Sequence, residues 1–270
     1  MAVFKYELHQ TRVNLIVWII VMSVMIIFLL PAFSSFLVDG SGELDSSIAE
    51  SIEKNEFLKA VDMSVDFLSK PIGMFGFLTS WVFSLACGCY ALFLGMSTFT
   101  KEYMHQTADF IMTKPYTRGQ IYFSKLLAAT VNNLIIGISY VFVSLVTFFL
   151  VTKGQFDMRM FGLLSFSLIM LQMLYMSLGI LVGAAFPRTQ KPLLTSIGIV
   201  FVTVMIGALA YVINSEILVY FAPPKYFGGS VISNIGGYNI KYVVWLWLLV
   251  IAFVFSGYNI FRKKDVILVL

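Results

Sequence analysis

The stretch Lys101–Ala128, "KEYMHQTADFIMTKPYTRGQIYFSKLLA", sets four basic and two acidic side chains between two long uncharged runs. Residues 102–113 wound as a helix put Met104, Ala108, Ile111 and Met112 on one face and Glu102, Gln106, Asp109 and Thr113 on the opposite one. Pro115 ends that helix, because it lacks an N–H and clashes with the preceding turn. Thr117 and Gln120 then form T-x-x-Q, a capping box in which each side chain satisfies a backbone N–H that the helix start leaves free. The restarted helix enters the next apolar run through Ile121, Tyr122, Phe123 and, past Lys125, Leu126. The stretch therefore reads as helix, Pro-marked turn and restart, a rigid elbow between two apolar segments. A plain charged connector is the other reading, but it requires neither amphipathicity nor two terminators.

Outward from the elbow, charges keep falling in clusters. Hydrophobic residues make up 59% of the 270 and charged residues 12%, about half the charged share of a soluble domain. Six runs lack Asp, Glu, Lys and Arg, and each is as long as the ~20 residues a spanning helix needs. They predict an all-α membrane protein, a single transmembrane domain over 1–270, with spans near 13–37, 72–99, 124–151, 161–186, 193–214 and 242–261. Eleven Lys and Arg fall on the side that holds both termini and the elbow, against seven on the other. The positive-inside rule then places the termini and the elbow in the cytoplasm. The first run is too long for a signal-peptide core, so the first helix itself is expected to serve for insertion. The net charge of +4 follows from the inner excess; no basic, base-stacking surface points to nucleic acid.

The connecting segments carry further signals. Residues 1–12 alternate charge with Val3, Phe4, Tyr6 and Leu8, which fits either a short interfacial helix or a frayed terminus. The outer insertion at 39–71 contains Ser47 and Glu50 in capping-box spacing, then Ile48, Ile52, Leu58, Val61, Val65 and Leu68 at helical spacing. It is expected to form one or two amphipathic helices on the outer surface, as a solvated cap or as a substrate-contacting lid. Pro187 and Pro192 bracket a short inner link. The 215–240 segment is apolar but broken by Pro223, Pro224, Gly228, Gly229, Gly236 and Gly237, and reads as helical pieces that dip into the outer leaflet and return. Cys87 and Cys89, two apart on one helix, read as packing residues.

At the elbow the sequence resembles the permease subunits of ABC-2 type ABC transporters. The matching positions are Glu102, Thr107-Ala108-Asp109, Thr113-Lys114-Pro115-Tyr116-Thr117-Arg118, and Gln120-Ile121 through Lys125-Leu126-Leu127-Ala128; "FAPPKYF" at 221–227 is similar to the family's element before the last span. Where such subunits carry several acidic residues ahead of this motif, Glu102 is followed by Tyr103, Met104 and His105. The resemblance implies an exporter half in a bacterial or archaeal plasma membrane, paired with an identical or related permease. Its coupling helix would seat in one of two ATP-binding subunits through Glu102, Thr107, Asp109, Phe110, Lys114, Pro115, Tyr116, Thr117 and Arg118. ATP and Mg would belong to those partners; the chain contains no G-x-x-x-x-G-K-[ST] loop.

Asn132, Asn133, Gln172 and Thr203 are the polar side chains singled out inside the spans, either as interhelical glue or as contacts to a polar part of the cargo. The uncharged runs argue against an ion relay. An apolar, Met- and Phe-rich pathway is expected to suit a hydrophobic or amphipathic cargo: an antimicrobial or other peptide, a lipid-like molecule or a drug. Ser84, Gly88, Ala91 and Gly95, and Gly179 with Gly183, have the spacing that lets helix backbones approach, within or between subunits. A membrane-embedded enzyme is disfavoured, since Glu102 and His105 have no second pair of ligands for a metal and the chain has only two histidines. A sensory or immunity subunit that pairs with an ATPase without carrying cargo is the alternative function.

Overall fold

Each uncharged run makes up most of one long helix. The computed structural model describes residues 2–37, 46–55, 58, 63–104 and 116–263. Six long helices run Ala2–Leu37, Pro71–Met104, Arg118–Thr152, Met158–Ala185, Pro192–Val212 and Ile240–Lys263, all long and apolar enough to cross a membrane. No strand occurs among the described residues. At 1.5 Å per residue the first three helices reach about 50 Å, well beyond the ~30 Å hydrocarbon core. Their ends therefore project into the interface and take in Glu7, Lys101, Glu102 and Lys125, which the uncharged runs leave out.

The second and fourth long helices form the centre. Buried residues make up 61% and 67% of their apolar windows, against 17% for the first helix and 11% for the sixth. Glycines set this crossing. A Cβ on Gly179 would stand 2.2 Å from Leu92 O, and one on Gly95 would stand 2.3 Å from Met176 O. The small-residue spacing thus serves backbone contact within the chain. The first helix lies along the third, with Met22, Ile26 and Leu30 buried, and the sixth packs on the fourth.

Local signals set several helix starts. Thr117 Oγ1 accepts from Gln120 N–H (3.3 Å) while Gln120 Oε1 accepts from Thr117 N–H (3.0 Å), so the capping box is complete. Asp157 caps the fourth helix by accepting from Arg159 and Met160 N–H. Pro192 opens the fifth. The first helix runs unbroken from Ala2 to Leu37, so residues 3–12 are neither frayed nor a separate short helix. One turn of the second helix, Thr79–Phe83, widens to π geometry.

The remaining elements gather at one end of the bundle. Ser46–Lys54 and Val65–Leu68 are short helices of the 39–71 insertion, with Ile52 and Leu68 buried. Glu216–Val219, a 3-10 turn at Pro223–Phe227 and Gly229–Ile235 make up the broken link between the fifth and sixth helices. The opposite end collects the starts of the first, third and fifth helices and the finish of the second, fourth and sixth. It is called the basic end here, after Arg118, Arg188, Lys191, Arg262 and Lys263.

Candidate functional site

The second helix finishes and the third begins at the basic end, and buried charge holds them together. Lys125 is fully buried, and its ammonium donates to Glu7 Oε1 (3.0 Å), to Thr98 O (2.8 Å) and to Glu102. Lys101 donates to the other oxygen of Glu7, which is also buried. Lys125 Nζ lies 5.7 Å from the Phe99 ring centroid. Two lysines and two carboxylates make a neutral set. Such a set is tolerated in a low-dielectric site only when each member is paired and hydrogen-bonded. Neighbouring contacts extend the platform: Thr11 accepts from Asn132 Nδ2 (2.7 Å), Arg118 Nη1 donates to Arg262 O (2.9 Å), and Tyr122 OH donates to Val254 O (2.7 Å). Phe99, Tyr122, Tyr258 and Phe261 fill the space between these helices.

The positions singled out from sequence divide into three sets. Thr107, Asp109, Phe110, Lys114 and Pro115, with His105, lie outside the described residues, as does the expected helix beyond Met104. Tyr116 and Thr117 are exposed at the start of the third helix, while Glu102 is turned inward onto Lys125 and is 8% exposed. Asn133 and Gln172 are buried where the third helix meets the fourth. Asn133 Nδ2 donates to Met173 Sδ (3.7 Å), and the Gln172 amide has no well-formed hydrogen bond among the described residues. Thr203 shares a hydroxyl contact of 2.7 Å with Tyr175. Glu7 and Lys101 escaped sequence reading. The available signal was the i, i+4 spacing of Glu7 and Thr11, both of which meet the third helix, at Lys125 and at Asn132.

The far end holds a cavity of about 770 Å³ between the 46–68 helices, the second and fifth helices and the broken link. Trp81, Tyr211 and Tyr242 give it aromatic walls, and Glu53, Asp66 and Lys225 bring charge to it. Lys225 Nζ stands 5.5 Å from the Tyr211 ring centroid. Around it Tyr226 stacks on Tyr242 at 5.3 Å, and Trp245 Nε1 donates to Tyr220 O (3.2 Å). Burial pushes the Tyr238 phenol above its usual pKa, and its hydroxyl donates to Leu163 O. Asn132, Asn133, Gln172 and Thr203 do not border this cavity.

Six apolar helices and two differently built ends define a multi-pass membrane protein with an ion-tied platform at one side and a cavity at the other. Residues 1–266 match the sequence model of the ABC-2 family transporter proteins, and the chain belongs to that family. No curated protein and no solved structure matches it significantly. Membership makes the chain the membrane component of a transporter, generally not catalytic itself, and implies pairing with an ABC ATP-binding subunit.

Proposed function

We propose that the chain is the permease subunit of an ATP-driven exporter, with the basic end in the cytoplasm and the 101–120 segment acting as its coupling element. The observation that carries this reading is the joining of both arms of the elbow, Glu102 at the end of the second helix and Lys125 near the start of the third. A segment whose two anchors are tied together transmits a push as one body. Two ATP-binding subunits, holding ATP and Mg, would close and drive two permease copies, identical or related, between inward and outward access. The Lys and Arg excess supports the basic end as the cytoplasmic one, in a bacterial or archaeal plasma membrane. The 215–240 pieces would then dip into the outer leaflet.

Cargo is proposed to be hydrophobic or amphipathic: a peptide, lipid-like molecule or drug. The mixed wall of the far-end cavity, aromatic with both signs of charge, supports that class over a small ion. Asp109→Lys and Pro115→Ala in the reconstituted complex are expected to uncouple ATP hydrolysis from transport while the protein still inserts. Normal transport and normal co-purification with the ATPase in both variants reject the coupling role. Stimulation of hydrolysis by an amphipathic peptide is expected, whereas sodium flux with no peptide effect contradicts the cargo class.

A further inference from the structure

Glu7 belongs to neither arm of the elbow, yet its one carboxylate touches both. Lys101 lies in the last turn of the incoming helix, Lys125 about two turns into the outgoing one, and they lie 94 and 118 residues away in sequence. A turn later Thr11 receives the Asn132 amide. Beyond these contacts the first helix is held through apolar side chains: Trp18 against Tyr90, then Met22, Ile26 and Leu30, then Phe33 stacked on Phe77 at 5.3 Å. Inside a bilayer such contacts have no hydrophobic drive, because lipid tails satisfy them equally well. Apolar ridges also allow one helix to slip past another by a turn. A buried ion set does not: any slip strands a charge without its partner.

We propose that Glu7 is a positioning residue that fixes the axial register of the first helix against both arms of the elbow, so that helix and elbow move as one body when nucleotide closes the ATP-binding subunits. The inference rests on the coupling role of the elbow and adds the first helix to the moving part. The consequence reaches the far end. Phe33 and Phe77 lie just ahead of the π turn Thr79–Phe83, whose Ser80 and Trp81 stand on the cavity wall. A π turn is a weaker stretch of helix, suited to yield under a push.

Spin labels at Gln10→Cys and Leu127→Cys, both exposed positions, in a Cys87→Ala/Cys89→Ala background read the register by pulsed electron resonance. With Glu7 present, one narrow distance is expected in the permease alone, and the same distance in the complex trapped with ATP and vanadate. Glu7→Gln is expected to add a second population shifted by about 5 Å, one helical turn. Glu7→Asp is expected to restore most of the single population. Because Glu7→Gln unbalances buried charge, Glu7→Gln/Lys101→Met serves as the second variant. It leaves the neutral Lys125–Glu102 pair, is expected to insert at the normal level, and is expected to show the same second population. A single unshifted distance in both variants overturns the proposal, and so does a distance that changes on trapping while Glu7 is intact. Failure of Tyr116→Cys to cross-link to the ATP-binding subunit instead removes the coupling reading, and the permease-alone distances still report whether Glu7 sets the register.

Discussion

The two ends of this bundle are held by different physics. At the basic end three helices meet on a closed set of charges, with Lys125 enclosed by two carboxylates and a backbone carbonyl. At the far end the hold is aromatic: Phe75 stacks on Phe161 at 4.7 Å, Phe148 and Phe156 lie beside them, and Tyr226 lies flat on Tyr242. Ion sets are directional and tolerate few arrangements. Aromatic stacks are adaptable and leave room for a cavity. The contrast fits the proposal that the basic end is the driven one and the far end accommodates cargo.

The largest expected effect comes from the crossing that both ends share. Gly179→Leu drives a side chain into Leu92 O and is expected to cost roughly 4 kcal/mol or more, or to abolish assembly, as read by detergent-solubilised size exclusion and thermal unfolding. Next comes the basic end. Lys125→Met leaves Glu102 buried without its ammonium, and breaking such a set costs about 3–5 kcal/mol. Adding Glu102→Gln removes the stranded charge and is expected to recover most of that loss, which measures how much of the effect is charge and how much is packing. At the far end Phe75→Ala opens space between Phe148 and Phe161 for a loss of about 3 kcal/mol, with binding of the ATP-binding subunit unchanged. Equal loss of that binding in Phe75→Ala and Lys125→Met erases the contrast. The smallest effect is Thr117→Ala, which removes half of the capping box for about 1 kcal/mol and shows as faster amide exchange at Gln120.

Much of this architecture was legible because it is local. The six helices follow from uncharged runs and the start of the third from Thr117 and Gln120, while the spacing of Gly95, Gly179 and Gly183 marked close backbone approach without saying which helices meet. The ion pairing of charges near the helix ends was not legible. Glu7, Lys101, Glu102 and Lys125 look like boundaries in sequence, because a charge is expensive in lipid. In the fold they neutralise one another across 94 and 118 residues, so the helices continue through them. Glu102 illustrates the same limit within the coupling motif: its spacing places it on a polar face, while Lys125 draws it inward. The cavity was hidden for a related reason, since Asp66, Trp81, Tyr211 and Tyr242 come from four separate segments. Asn132 was read as glue or cargo contact, and its amide is donated to Thr11 of the first helix.

The central claim is that the elbow between the second and third helices faces the cytosol and is gripped there by the ATP-binding subunit. Labelling Tyr116→Cys in cells, in a background without Cys87 and Cys89, tests it most directly. The account predicts no reaction with a membrane-impermeant maleimide added outside intact cells. It predicts ready reaction in inside-out vesicles stripped of the ATPase, and protection once the ATPase is restored. Labelling from outside intact cells, or equal labelling with and without the ATPase, would contradict it.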